Sequence, residues 1–247
     1  MNDALYWIKT SGKLLEKRCT ETSDKELVKV YIRDTVGEDY NVPTLGICKN
    51  LEAVQAFDFP ERCVIKPTHM SGEVILRLNG EPLDLERIKG WFRSNFYDRW
   101  REQNYRDLEP KVIVEPLLFD RVDVDDLKVF CFRGEPKVIQ VDMDRRTRHL
   151  RSLYSTEWEL LPYTIAHPVA RKVDPPANLS EMLSLATRLS EPFPFVRIDF
   201  YNDGKRIYVG EITHCHANAS ESFIPASGEW EFARRVFGKD GFCVPES

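Results

Sequence analysis

The chain has 247 residues, 42% of them hydrophobic and 30% charged, with a formal net charge of −5 and a pI near 5.7. That length admits one large domain or two intimate lobes with a sizeable core, and the composition is ordinary for a soluble globular protein. The acidic balance argues against a general nucleic-acid binder, and no apolar run approaches the ~18–20 residues of a membrane span.

The N-terminus lacks the charged-then-apolar order of a signal peptide. Residues 24–36 (DKELVKVYIRDTV) place Leu27, Val28, Tyr31 and Ile32 on one helical face, with Asp24 as N-cap or first-turn acid. Residues 62–67 (RCVIKP) read as a short strand, THMSG as a loop and EVILRL as a second strand. Residues 84–100 read as an amphipathic helix carrying Leu85, Ile88, Trp91, Phe92 and Phe96. KVIVEPLL (111–118) is a buried-strand run. DLKVFCF (126–132) and residues 136–141 flank Arg133-Gly134-Glu135 as a hairpin. Residues 145–176 read as a long irregular excursion, rich in arginine and proline. Residues 178–190 read as a helix, 196–201 and 206–212 as strands joined by Asn202-Asp203-Gly204-Lys205, and 230–236 as a closing helix. Regular βαβ alternation is missing, so the fold class is α+β, with two lobes (1–115 and 116–247) and a boundary near 115–123. Cys19, Cys48, Cys63, Cys131, Cys215 and Cys243 form no CxxC pair. A zinc ribbon or disulfide framework is therefore not expected, and reduced thiols in a cytoplasmic protein are.

The densest chemistry lies in RIDFYNDGKRIYVGEIT. A tight hairpin can place Asp199 and Glu211 on one face, a few ångströms apart. Two such carboxylates repel unless a cation lies between them, and hard oxygen ligands on strands suit Mg²⁺. Arg197 falls on the face of Asp199 by period-two alternation. The same spacing also fits a surface hairpin with an Arg–Asp ion pair, but the apolar flanks FPFV and IYV argue for burial. Lys66 at a strand end, followed by Ser71 and Gly72, fits a phosphate cradle or a plain turn. Glu115-Pro116-Leu117 fits a bend whose backbone groups meet an adenine edge, or an ordinary strand end. Asp126 and Lys128 share a strand face, positioned for a ribose and a phosphate or for each other.

This ordered series resembles the ATP-grasp superfamily and, within it, the TupA-like group named for teichuronopeptide biosynthesis. The supporting segments are DKELVKVYI, FPERCVIKPTHMSG, DDLKVFCFRGEPKVIQVDMDR and FPFVRIDFYNDGKRIYVGEIT. The resemblance implies a two-lobed fold of antiparallel sheets and flanking helices, with ATP between the lobes. Lys66 and Lys128 would contact phosphates, with Ser71 and Gly72 in the loop over them. Asp126 would bind the ribose, the backbone of Glu115, Pro116 and Leu117 the adenine, and Arg197 the transferring phosphate. Asp199 and Glu211 would hold Mg²⁺, with Thr213 at the third ligand position, where the family pattern has Asn.

The implied chemistry is acyl-phosphate formation followed by amide formation from a carboxylate and an amine. The expected acceptor is a carboxylated sugar or polymer of the cell surface. The same Mg–ATP face also serves a kinase acting on a hydroxyl, and a degraded site would leave a binding protein. His214 and His216 follow Thr213 where the family pattern has no histidine, as replacement ligands, substrate contacts or ordinary loop residues. The chain also has no long domain before Asp24, where many relatives carry part of their substrate site. Arg145, Arg146, Arg148 and Arg151 fit either a solvated loop or a clamp for an anionic sugar. No nucleic-acid partner is expected.

Overall fold

The computed structural model of the protein describes residues 1–121, 125–144, 147–168 and 172–238. In chain order its helices are α1 (Asn2–Thr10), α2 (Lys17–Ser23), α3 (Leu27–Thr35), α4 (Leu51–Ala56), α5 (Leu85–Arg93), α6 (Phe96–Trp100), α7 (Leu179–Ser190) and α8 (Gly228–Phe237). Its strands are β1 (Gly46–Cys48), β2 (Cys63–Pro67), β3 (Ile75–Arg77), β4 (Val112–Glu115), β5 (Asp126–Phe132), β6 (Glu135–Met143), β7 (Leu150–Tyr154), β8 (Thr164–Ile165), β9 (Phe195–Asn202), β10 (Ile207–Thr213) and β11 (Phe223–Ile224).

The first sheet is antiparallel throughout, in the order β1-β4-β2-β3. Alternation along β2 buries Cys63 and Ile65 against Ile88, Trp91, Val112 and Val114, and turns Val64 and Lys66 to the opposite side. The helix expected over 84–100 is broken. Asp84 caps α5 by accepting from the Arg87 amide at 3.0 Å, but the chain is extended at Ser94. Asn95 then caps a new helix by accepting from the Tyr97 amide at 2.9 Å. A polar capping residue competes with the helix ladder, so Phe96 leaves the buried stripe and packs on Tyr105 at 4.6 Å. The strand expected over 73–78 is only the three residues of β3.

The second sheet has the order β10-β9-β5-β6-β7, again all antiparallel. Arg133 and Gly134, with φ of 52° and 77°, make the two-residue turn between β5 and β6. The excursion expected over 145–176 contributes β7, the edge of this sheet, and β8, which pairs with β11. Its strand was hidden because Arg151, a charged residue, occupies a buried position opposite Asp142.

One face of this sheet is apolar. Leu127, Val129, Ile139, Val141, Ile198 and Phe200 pack on Met182, Leu185 and Leu189 of α7 and on Val28 and Ile32 of α3. Leu27, expected on that stripe, is exposed. The other face is divided. At one end Phe130, Val138 and Leu153 meet Phe232 and Val236 of α8 and Leu5 of α1. At the other end it carries Asp126, Lys128, Asp142, Arg151, Arg197 and Asp199, all buried. Helices α1–α3 precede the first sheet in the chain, yet they pack in the cores of the second. Asp24 accepts from the amides of Glu26 and Leu27 at 2.8 and 3.0 Å and from the Thr68 hydroxyl at 2.7 Å, tying α3 to the first sheet. The five described cysteines are buried and free, and among the described residues no helix is long and apolar enough to cross a membrane.

The β9–β10 pairing shifts register between Val209 and Glu211. Tyr208 faces Tyr201, but beyond the bulge Glu211 faces Asp199 and Thr213 faces Arg197. A Cβ at Gly210 would lie 2.7 Å from Cε2 of Tyr201, so the bulge and the aromatic ring fit only with glycine there. Gly210→Ala is therefore expected to lower unfolding free energy by about 1–3 kcal/mol through overpacking. Gly90→Ala, at an exposed helical position with nothing within 4 Å of the new Cβ, is expected to be neutral or to stabilise by up to about 1 kcal/mol. Urea denaturation midpoints of the two variants check both.

Candidate functional site

The two sheets face each other across a cavity of about 380 Å³. Its walls are apolar toward the first sheet and the crossing segment, with Val64, Val74, Leu76, Leu117 and Leu118. They are charged toward the second, with Asp126, Tyr201 and Glu211, while Lys25 and Lys66 project from the other side. An apolar slot with a few charges gathered at one end is the form of a small-molecule or cofactor site. Of the residues singled out in the sequence, Lys66, Gly72, Glu115, Pro116, Leu117, Asp126 and Glu211 line this one cavity. Ser71 lies on the far side of the loop, beside α5 and α6.

On the first sheet Lys66 is held by Glu115. Lys66 Nζ donates to Glu115 Oε2 at 2.9 Å, and Lys29 Nζ donates to Oε1 at 2.7 Å. Lys66 Nζ also lies 5.8 Å from the centre of the Tyr201 ring. Burial works to lower the Lys66 pKa, but Glu115 and the other acids hold it above its ordinary value. Burial likewise works to raise Glu115, and the two lysines hold it below the usual carboxylate range. Both groups are thus charged, and the Glu115 side chain acts on the lysine beside its expected backbone position. Gly72 has φ of 82°, which lets the loop after β2 turn tightly at the cavity mouth.

On the second sheet the charges form a chain. Arg197 grips Asp199 with two bonds, Nε to Oδ1 and Nη2 to Oδ2, each 2.6 Å. Lys128 Nζ donates to Asp199 Oδ2 at 2.8 Å and to Asp126 Oδ2 at 3.3 Å. Arg197 Nη2 reaches Glu211 Oε1 at 3.2 Å and Thr213 Oγ1 at 3.1 Å, and the Thr213 hydroxyl donates to Glu211 Oε1 at 3.0 Å. Burial tends to raise the Glu211 pKa, but Lys25, Arg197 and Lys128 bring it down to about 2. Lys128, which burial alone would lower, is raised by Asp199 and Asp126.

This donor set fits a magnesium ion in one specific way. Among the described residues no group of three or more His, Cys, Asp and Glu side chains is arranged to hold a metal by itself. Asp199 and Glu211 are nonetheless opposed in register, and the Glu211 side chain keeps 35% of its surface open. Mg²⁺ binds through one or two carboxylates plus phosphate oxygens, so these residues fit an ion that arrives with a polyphosphate. Thr213 is here a hydroxyl that orients Glu211.

The histidines part company. His214 is buried on the apolar side, its Nε2 2.8 Å from the Thr22 hydroxyl and its ring 4.9 Å from that of Phe193. Burial lowers its pKa to about 3, so it is a neutral core residue, out of reach of a substrate. His216 belongs to the site, with Nδ1 accepting from Arg197 Nη1. Arg151 does not offer a free anion clamp, because its Nε donates to Asp142 Oδ1 at 2.6 Å and its Nη1 to the Ile165 carbonyl at 3.1 Å. Arg148 is exposed, and Arg145 and Arg146 lie outside the described residues.

Three residues of the site escaped the reading of the sequence. Lys25 lines the cavity and its Nζ donates to the Met70 carbonyl, bracing the loop before Gly72. Burial lowers its pKa. Lys25 and Lys29 are four apart at a helix start, a spacing that puts both on one face. Tyr201 is two residues beyond Asp199, and period-two alternation alone would have placed it on the charged face. Glu221, beyond β10, approaches Arg151 Nη1 at 3.9 Å and carries no motif.

The model of a family described as TupA-like ATPgrasp matches residues 3–232. No curated protein matches the chain closely. Among solved structures, the chain is similar to an L-amino acid ligase from Bacillus licheniformis at 11% identity and TM-score 0.50, covering 89% of this chain and 50% of that one. A D-alanine–D-alanine ligase from Bacillus anthracis aligns at 17% identity and TM-score 0.47, covering 89% and 64%. The ATP-grasp ligase PsnB, complexed with a minimal precursor, aligns at 14% and 0.46, covering 82% and 55%. The chain spans between half and two thirds of the length of these proteins, and at such identities the likeness is one of fold.

Glu102 supplies a test of the site's electrostatics. It is buried near Glu211 and Arg197, and burial raises its pKa to about 7. A folded-state value above the unfolded one means that stability is full below the unfolded pKa and is lost as pH rises through about 7. Glu102→Gln is therefore expected to stabilise the protein by roughly 2 kcal/mol at pH 8, with the gain vanishing toward pH 4.5. Melting temperatures of variant and parent across that range check the sign and the window.

Proposed function

The chain belongs to the TupA-like ATP-grasp family, and we propose that it is an ATP-dependent carboxylate–amine ligase working through an acyl phosphate. The observation that carries this reading is the single cavity between the sheets, where Lys66, Asp126 and Glu211 converge and Glu211 is opposed by Asp199. In it the adenine lies in the apolar slot beside Leu117 and Leu118, with the backbone at 115–117 along its edge. The ribose meets Asp126, and the phosphates meet Lys66, Lys128 and the Gly72 amide. Asp199 and Glu211, together with phosphate oxygens, would hold Mg²⁺, which would supply charge neutralisation on the transferring group. The first sheet lines one wall of this cavity and the second sheet the other.

Arg197 contributes a guanidinium to the γ-phosphate, as its short bonds to Asp199 aim it along the strand face. A substrate carboxylate attacks that phosphate and ADP departs. An amine then attacks the acyl carbon, an amide forms and phosphate leaves. There is little covalent work for side chains here, so positioning and charge balance carry the rate. The proposed carboxylate is an acidic sugar or polymer of cell-surface polysaccharide synthesis, consistent with the exposed Arg148.

Mg²⁺–ATP at a hundred times its Kd is expected to stabilise the protein by about 2.7 kcal/mol, read as a rise in Tm. Asp199→Asn and Glu211→Gln are expected to abolish that rise. Wild-type protein with no nucleotide-dependent rise at millimolar Mg²⁺–ATP would sink the assignment. An ADP-release screen crossing uronic-acid and amino-acid carboxylates with amines then reads the chemistry. Turnover that needs both partners supports the ligase, and a phosphorylated product formed without amine supports transfer to a hydroxyl.

A further inference from the structure

The charges on the second sheet close almost into a ring. Arg197 holds Asp199, Asp199 accepts from Lys128, Lys128 lies 3.8 Å from Asp142, and Asp142 accepts from Arg151. From the other side Arg197 donates to His216 Nδ1. The ring is loose between Lys128 and Asp142 and open at Glu221. His216 Nε2 is 3.9 Å from Glu221 Oε1, and Arg151 Nη1 is 3.9 Å from Glu221 Oε2, both beyond hydrogen-bond length. His216 Nε2 and Glu221 Oε2 are buried and make no hydrogen bond. Because Nδ1 accepts from Arg197, the ring proton of His216 is on Nε2, so the gap presents one unmet donor beside one unmet carboxylate oxygen and suits a small polar guest that donates to Glu221 and accepts from His216.

Given the ligase reading above, on which this inference rests, we propose that the gap bounded by Glu221, His216 and Arg151 is the subsite of the attacking amine. Glu221 holds the ammonium of that amine and takes its proton. The carboxylate of Glu221 repels a carboxylate or phosphate and attracts an ammonium, Arg151 being already neutralised by Asp142, and the amine left when the proton passes to Glu221 can accept from His216 Nε2–H. The location fits, because His216 touches the guanidinium assigned to the γ-phosphate through Nδ1 and faces Glu221 through Nε2. Burial also holds the Glu221 pKa above its ordinary value, as a proton acceptor needs.

The protons balance. The ammonium gives one proton to Glu221, and the freed lone pair forms the C–N bond to the acyl carbon. The C–O bond to phosphate breaks with its electron pair. The second nitrogen proton leaves with the phosphate, which departs as hydrogen phosphate.

The backbone of Glu221 is fixed independently of its carboxylate. Asn2 Nδ2 donates to the Glu221 carbonyl at 2.9 Å, and the Glu221 amide donates to Asn2 Oδ1 at 3.0 Å. Glu221→Gln should therefore leave the loop in place. The test runs the full chain with Mg²⁺–ATP and the same carboxylates, using two kinds of nucleophile at pH 7. Hydroxylamine is uncharged there and needs no base, whereas ammonium chloride and amino acids are protonated.

Glu221→Gln is expected to keep hydroxamate formation within about threefold and to lose amide formation by about 100-fold. Glu221→Asp is expected to recover part of that loss. Equal loss with both nucleophiles, or no loss with either, overturns the subsite. Wild-type protein that forms neither hydroxamate nor amide overturns the ligase reading itself, and hydroxamate without any amide overturns both.

Discussion

The bidentate grip of Arg197 on Asp199, shared with Lys128, is the interaction on which the site depends. Three charged groups lie buried on adjacent strands of one sheet. Removing such charges from water costs several kcal/mol each unless partners stand at hydrogen-bonding distance. In this sheet the partners come from cross-strand register: Lys128 faces Asp199 and Asp142 faces Arg151. A slip of one residue in any pairing would turn these groups into the apolar core beneath α7. The chemistry of the face and the register of the sheet therefore enforce each other.

The first sheet repeats the device with opposite sign. There one carboxylate, Glu115, is held between two lysines. The outcome is a net positive wall at Lys66 and Lys29 opposite an acid-rich wall at Asp126, Asp199 and Glu211. In the proposed reading, a polyphosphate carrying a divalent cation would satisfy both walls at once. The segment from α2 to α3 couples the walls. Thr22 bonds to His214, Asp24 to Thr68, Lys25 to Met70, and Lys29 to Glu115. Helices first in the chain thus form a brace that both sheets share, and Lys25 ties the loop before Gly72 to that brace.

Much of this was legible in the residues. The hairpin turns at Arg133-Gly134 and at 202–205, the strands around them and α7 follow from turn chemistry and alternation, because those signals are local. The gathering of Lys66, Asp126 and Glu211 at one cavity followed from the order of motifs. The split of the 84–100 helix did not, because capping by Asn95 competes with an apolar stripe that continues past it. Strand β7 was hidden by Arg151, which is buried only because Asp142 is there to receive it. His214 and His216 looked equivalent from sequence, but a bend after β10 sends one into the core and the other to Arg197.

By itself, then, the sequence determined the residue types of the site, their order and the strands that carry them, since alternation and turns need only neighbours in the chain. Tertiary structure decided which of those residues touch. The bulge at Gly210 brings Glu211 opposite Asp199 and Thr213 opposite Arg197, where an unbroken ladder would have turned both to the other face. That register rests on a glycine packed against Tyr201, and on charges that find partners only across strands. Glu221 is the extreme case: nothing near it in sequence marks it, and only the fold carries it to the open place in the ring.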